Sequence, residues 1–300
     1  MDNLVKEFTK GRKTFFITPD KDLISPAFME EYLSKDYECY FIQHDLNNTI
    51  QEKVEAIATL FSDCILFFNI DYHIEGVDWH ELIENTKKRF SNVCIGVVYA
   101  KRKIPIEKTL LEQEYIFRMG LSSGCIQLEY QKNTNFILIE KVLYANQAMG
   151  RRKNVRVVCL NNSSFNLDDG HGNVTTYWLN DVSLSHFSFT IATDEPQLTL
   201  KEYEKVQNLS FVIKGMRFTS DAILFMKRQT SSGTLYVFAF VDREGKVGLD
   251  DMRRKLMVSK MYEMLSEACV SLLKKYFVEQ ENKKPIIKHR PASEDLPEVP

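Results

Sequence analysis

Two unbroken apolar runs, Cys64–Ile70 and Val93–Ala100, constrain the first half of this chain more than any other feature. A strand with one wet face alternates polar and apolar residues, so a run without alternation is a strand covered on both faces. Such strands belong to parallel sheets, whose members are joined by helices. The sequence supplies those helices. Thr49 with Glu52, and Asp78 with Glu81, have the spacing of a capping box and predict helices to about Phe61 and Phe90. Ser25-Pro26 predicts an N-cap followed by proline at the first helical position, ahead of Ala27–Leu33. Pro105 opens a helix to about Met119, and Asn133–Met149 forms the last. With strands at Thr14–Thr18, Tyr37–Gln43 and Cys125–Glu129, the pattern is β-α repeated over residues 12–149, a doubly wound α/β unit.

From residue 150 the periodicity changes. Val155–Leu160, Val174–Leu179, Phe187–Ala192, Leu209–Ile213, Ala222–Lys227 and Thr234–Val241 are short strand candidates. They are separated by turn-rich stretches: Asp168–Asn173, Asp181–Ser185, Asp194–Pro196 and Thr230–Gly233. Short strands with close turns predict a small antiparallel β-barrel. Asp250 caps a terminal helix in which Met257, Met261, Met264, Leu265, Ala268, Leu272 and Tyr276 recur at helical spacing. That stripe is expected to cover one end of the barrel. Glu279–Pro300 is charged, holds four prolines and lacks a periodic apolar face, as a disordered tail does. The fold class expected is therefore α/β plus β-barrel. Its divisions are an extension over 1–11, the α/β domain 12–149, the barrel domain 150–277 with its helix, and the tail 278–300.

Two polar runs stand out at the start of the β-rich half. Arg151-Arg152-Lys153-Asn154-Val155-Arg156 reads R-R-x-x-x-R, and Asp181-Val182-Ser183-Leu184-Ser185-His186 reads D-x-S-x-x-H. An arginine fork binds phosphate oxygens, or guanine O6 and N7 together, and its plane stacks on a purine. A carboxylate such as Asp181 accepts from guanine N1–H and N2–H, and a hydroxyl such as Ser183 adds a short polar contact. The pair of runs resembles the signature of PilZ domains, bacterial receptors for cyclic-di-GMP, which carry R-x-x-x-R and D/N-x-S-x-x-G. The resemblance covers about residues 150–277. It implies a cyclic-di-GMP site formed by Arg151, Arg152, Arg156, Asp181, Ser183 and His186, with no cofactor and no metal. His186 departs from the pattern, standing where the family has glycine. In that family an arginine preceding R-x-x-x-R often accompanies a stacked pair of ligand molecules, which Arg151 permits.

The α/β half resembles the receiver domain of response regulators. A working receiver needs a phosphate-accepting Asp at the end of its third strand, an acidic pair after the first, a Ser/Thr after the fourth and a Lys after the fifth. Here the third strand ends Asn69-Ile70-Asp71. One acid, Asp20, follows the first strand; Val98-Tyr99-Ala100 ends the fourth; Leu128-Glu129-Tyr130 ends the fifth. A magnesium–phosphate site requires several hard oxygen ligands, and these are depleted, so the unit is expected not to be phosphorylated.

Composition excludes other classes. The net charge of −2 gives no general attraction to nucleic acid or anionic membrane. No apolar run reaches the roughly 18–20 residues of a membrane helix, and the first residues lack the apolar core of a secretory signal. The six cysteines form no C-x-x-C pair; Cys64, Cys94, Cys125 and Cys159 lie in apolar segments, as small buried hydrophobes do, and a cytoplasmic location is expected. No nucleophile–base arrangement or phosphate-binding glycine loop is legible. The sequence thus points to a non-enzymatic effector that binds cyclic-di-GMP and relays it to a protein partner, in motility, adhesion or surface-polysaccharide control; the flagellar or surface machinery is the expected kind. The alternative is a PilZ-like adaptor that works by protein contacts without nucleotide. A third class, the phosphorylation-driven response regulator, is disfavoured by the missing lysine and acidic pair.

Overall fold

The computed structural model describes residues 8–283, apart from 10, 19, 20, 22, 44–46, 130, 150–153, 161 and 169–173. In the first half, strands β1 (Lys13–Ile17), β2 (Cys39–Ile42), β3 (Cys64–Asn69), β4 (Cys94–Ala100) and β5 (Cys125–Leu128) form one parallel sheet. Their order is β2-β1-β3-β4-β5, a doubly wound order that reverses between β1 and β3. Every residue of β3 is buried, which accounts for the unbroken apolar run.

Helices α1 (Ala27–Ser34), α2 (Ile50–Leu60), α3 (Trp79–Arg89), α4 (Pro105–Glu112) and α5 (Lys132–Ala145) alternate with these strands. Thr49 caps α2 with a full capping box: its hydroxyl accepts the Glu52 N–H at 3.2 Å, and the Glu52 carboxylate accepts the Thr49 N–H at 2.8 Å. Asp78 caps α3 by accepting the Glu81 N–H at 3.1 Å. The cap expected of Ser25 is different: Pro26 occupies the N-cap position, no side chain caps α1, and Ser25 contributes its carbonyl to Phe28 N–H at 3.0 Å. The helix opened by Pro105 becomes a π-helix at Gln113–Arg118. Ahead of β1, Phe8 packs edge-on against Tyr40 and Phe61 at 6.2 and 6.0 Å.

The second half is a closed antiparallel barrel. Strands β7 (Ser163–Asp168), β8 (Val174–Val182), β9 (His186–Ile191), β10 (Lys205–Ile213), β11 (Met216–Thr230) and β12 (Gly233–Val241) run in the order β8-β7-β10-β11-β12-β9, and β8 pairs with β9 to close the ring. A short strand, β6 (Val157–Val158), pairs with Asp181 and Val182 at the end of β8, beyond the residues that pair with β7. The interior is a stack of rings: Phe187 meets Phe165, Phe211, Phe238 and Phe240 with centroids 5.0–5.4 Å apart. Each such ring contributes about 1.5–3 kcal/mol on leaving water. Strand β7 was not expected from the sequence; its SSFNLD run has only two apolar residues, and pairing with β8 and β10 holds it in place. The strand expected at Val155–Leu160 is confined to Val157–Val158.

The terminal helix α6 (Asp251–Lys283) is longer than its apolar stripe suggested and includes residues expected in the tail; residues 284–300 lie outside those described. It does not merely cover the barrel. It packs on α1 and α2 of the parallel-sheet half as well as on β6 and β11. Arg254 donates to the Ser34 carbonyl at 2.9 Å, and Lys214 of the barrel pairs with Glu267 at 2.6 Å. Met257, Met261, Met264 and Leu265 lie in one continuous apolar cluster with Phe15 and Phe61 of the first half and Phe187 of the barrel. The methionine stripe therefore joins the two halves. Among the described residues no helix is long and apolar enough to cross a membrane. Cys39, Cys64 and Cys269 are buried, whereas Cys94, Cys125 and Cys159 are half-buried.

Candidate functional site

The two polar runs meet because β6 pairs with β8. The register sets Val157 opposite Val182 and Val158 opposite Asp181, so Arg156 enters beside the Asp181–His186 turn. Its guanidinium Nη1 stands 4.0 Å from Asp181 Oδ1, with both side chains partly exposed. That separation is too long for a hydrogen bond, which leaves the arginine fork and Oδ1 with capacity for other partners. Arg151 and Arg152, the other arginines of the run, lie outside the described residues.

A bulge decides which way Asp181 faces. Leu179 pairs with Phe189 and Asp181 with Ser188, so Asn180 is the extra residue on β8. Strict alternation from the buried Leu179 would turn Asp181 inward. The bulge shifts the parity: Val182 becomes the fully buried residue and Asp181 is half-buried on the outer face. There its Oδ2 accepts the Ser188 hydroxyl at 2.8 Å, a bond between cross-strand partners that fixes the carboxylate.

Ser183 has another place than the sequence reading gave it. It is 1 % exposed, and its hydroxyl donates to the His186 carbonyl at 3.2 Å while accepting the His186 N–H at 3.0 Å. With the Ser183 N–H also bound to the His186 carbonyl at 2.8 Å, this serine closes the β8–β9 turn and does not line the outer face.

His186 is the first residue of β9 and pairs with Ala239 of β12. It is not among the residues with positive φ, so no glycine-only backbone is required here. Its half-buried ring meets Phe225 edge-on, with centroids 5.4 Å apart. Phe225 sits at a second bulge, between Leu224 and Met226 of β11, and is 51 % exposed. Burial first, and then the positive Arg156, hold the imidazole below its ordinary value of 6.5, which favours the neutral ring.

Further polar residues gather here that the sequence reading did not single out. Ser185 Oγ lies 2.8 Å from His186 Nδ1 and 3.0 Å from Asn154 Oδ1. Asn154 Nδ2 in turn reaches the Asp36 carboxylate at 3.4 Å, and the Val155 N–H donates to it at 3.2 Å. Asp36 belongs to the parallel-sheet half. Local signal could not have found this contact, because 118 positions separate its partners.

At the end of β3, Asn69 is buried and donates to Thr18 Oγ1 at 3.0 Å. Asp71 accepts the Ala100 N–H at 2.7 Å and is paired with Arg102. Its carboxylate is held in a protein ion pair. Asp20 lies outside the described residues, and among those described no group of three or more His, Cys, Asp or Glu side chains is placed to hold a metal ion.

The outer face of the closed six-stranded barrel thus carries an arginine fork of donors and a carboxylate acceptor side by side at a hairpin turn. The chain is similar to solved PilZ-domain structures. One is YcgR from Escherichia coli in complex with c-di-GMP, with a TM-score of 0.30 and 15 % identity, covering 44 % of this chain and 50 % of that one. The isolated PilZ domain of YcgR with c-di-GMP gives 0.29 and 16 % over 44 % of this chain and 98 % of that one. The Bacillus subtilis inhibitor of motility, MotI/DgrA, gives 0.28 and 11 % over 45 % and 54 %. The match thus spans about half the length of those YcgR and MotI chains. No family model matches it, and no curated protein does.

Proposed function

We propose that this chain is a non-enzymatic PilZ-type receptor for cyclic-di-GMP that passes the signal to a protein partner. The observation that carries the reading is the β6–β8 register, which sets Arg156 of R-R-x-x-x-R 4.0 Å from Asp181 of D-x-S-x-x-H on the barrel's outer face. Arg156 supplies a fork for phosphate or for guanine O6 and N7, and Asp181 Oδ1 accepts from guanine N1–H and N2–H. Arg151 and Arg152 add cationic reach in the segment joining a unit of about residues 12–149 to one beginning near 150. His186 and Phe225 replace the room of the family's glycine with an imidazole edge and an exposed aromatic ring beside it, against which a base packs. Ser183 keeps the turn in shape and is not part of the ligand surface.

Binding would tighten the joining segment against the barrel, and α6 would carry that change to the α/β half, where both units share one apolar cluster. The partner is proposed to be a component of the flagellar or surface machinery, in a cytoplasmic setting. Calorimetric titration of the full chain with cyclic-di-GMP, with GTP and cyclic-di-AMP as controls, tests the reading. Saturable binding of cyclic-di-GMP alone supports it. No heat with any of the three would sink it and leave the nucleotide-free adaptor, which the packing of the His186 ring against Phe225 favours as the second reading.

A further inference from the structure

A chain of hydrogen bonds crosses from the α/β half to the barrel, and its direction is fixed at one end. Asp36 is a carboxylate, so it only accepts. The atom of Asn154 facing it is therefore the amide nitrogen, and Oδ1 faces Ser185. Ser185 Oγ–H donates to that oxygen, which leaves the hydroxyl's lone pairs for His186 Nδ1 at 2.8 Å. A hydroxyl has one hydrogen. Nδ1 must then carry the proton in the neutral ring, and Nε2 is left as a lone-pair acceptor. Among the described residues none hydrogen-bonds Nε2.

Asp36 is placed for this role at a local cost. It follows α1 with a φ of 66°, the left-handed position at which a helix-ending Schellman turn usually places glycine. The turn itself is formed: Asp36 N–H donates to the Leu33 carbonyl and Tyr37 N–H to the Tyr32 carbonyl, both at 3.0 Å. A glycine would satisfy the backbone, and the aspartate adds the carboxylate that holds Asn154 and the Val155 N–H.

We propose that His186 is a base-reading acceptor whose tautomer is set from the α/β half by Asp36, acting through Asn154 and Ser185. The ligand class is a guanine or other purine edge that presents N–H donors to Nε2. For its ligand the proposal rests on the cyclic-di-GMP reading; the tautomer belongs to the ligand-free protein and is read without it. Asp36, Asn154 and Ser185 are positioning residues, and the device ties the reading of the base to the seating of the two halves.

The experiment is a long-range proton–nitrogen correlation spectrum of the full chain with labelled histidine, near neutral pH, beside cyclic-di-GMP titrations. The parent is expected to show a protonated Nδ1 and an unprotonated Nε2 at His186. Ser185→Ala removes the relay and Asp36→Gly removes the acceptor while suiting the positive φ. Both are expected to mix the tautomers and weaken binding by about fivefold to tenfold, the loss of one hydrogen bond. Asp36→Asn keeps an acceptor oxygen and tolerates a left-handed backbone, so it is expected to restore the parent's tautomer and affinity. A parent spectrum with Nε2 protonated overturns the proposal. So does an unchanged spectrum and affinity in both Ser185→Ala and Asp36→Gly. If the parent gives the expected spectrum but binds no cyclic-di-GMP, the nucleotide reading and the Nε2 contact fall together, and the tautomer result stands for the hydrogen-bond chain alone.

Discussion

Arg156 Nη1 and Asp181 Oδ1 stand 4.0 Å apart across the β6–β8 pairing, close enough to attract and too far to hydrogen-bond. A partly exposed pair of this kind adds little to stability, and its geometry leaves both groups able to serve a ligand. Arg156→Ala and Asp181→Ala are each expected to weaken cyclic-di-GMP binding by about 1.5–3 kcal/mol, the range for a hydrogen bond to a charged group. Arg152→Ala is expected to do the same. Thermal unfolding of Arg156→Ala should match the parent, since exposed substitutions rarely shift stability by much. Affinity unchanged in both arginine variants would remove the nucleotide site.

Ser183 is expected to behave in the opposite way. Its buried hydroxyl satisfies both ends of the β8–β9 turn through the His186 backbone. Ser183→Ala should lower stability by about 1–3 kcal/mol, the cost of stranding a buried polar partner. Where the variant is folded, its affinity should stay near the parent's. Denaturant melts paired with titrations decide this, and a stable Ser183→Ala that cannot bind would place the hydroxyl at the ligand after all.

His186→Gly reports on the one position where the sequence departs from the family. A ring that contacts the base, through its Nε2 edge or its face, predicts a loss of about 1–3 kcal/mol on its removal. A ring that blocks the base predicts the reverse, and tighter binding by the glycine variant over a non-binding parent would favour the adaptor. The sign with pH follows from burial of the ring. Its folded value lies below the ordinary 6.5, so the unfolded chain binds the extra proton first. The stability due to the neutral ring is present above 6.5 and is lost as pH falls through the folded value. Protonation also turns Nε2 from acceptor into donor. Affinity for cyclic-di-GMP should fall over the same acid window in the parent and stay flat there in His186→Gly. Parallel pH profiles would refute the contact.

The α/β half should not take a phosphoryl group. Asn69 fills the end of β3, and Asp71 is committed to Arg102 and the Ala100 N–H. Incubation with acetyl phosphate and magnesium should leave the intact mass unchanged, with no magnesium-dependent binding of beryllofluoride. A phosphoryl adduct mapped to Asp71 would restore the response-regulator reading.

What the sequence determined by itself is whatever depends on near neighbours. The buried run Cys64–Asn69, the capping box of Thr49 and Glu52, and the phenylalanine-rich strands of the barrel follow from side-chain chemistry within a few residues. The two polar runs could be paired on paper for the same reason, since each is a local pattern. The tertiary structure decided everything that depends on register and distance. A single extra residue at Asn180 reverses the parity of β8 and turns Asp181 outward, and no pattern of period two encodes a bulge before its partner strand is known. Ser183, equally polar in sequence, is drawn inward because the turn needs its hydroxyl. Strand β7 exists only because two neighbours pair with it. The methionine stripe of α6 looked like a barrel cover and became a joint, because an apolar helix face shows that it must be buried and not against what. Asp36 was invisible for the same reason: its carboxylate acts on Asn154 and, through it, on His186, and only the packing of one half on the other brings those groups within hydrogen-bond reach.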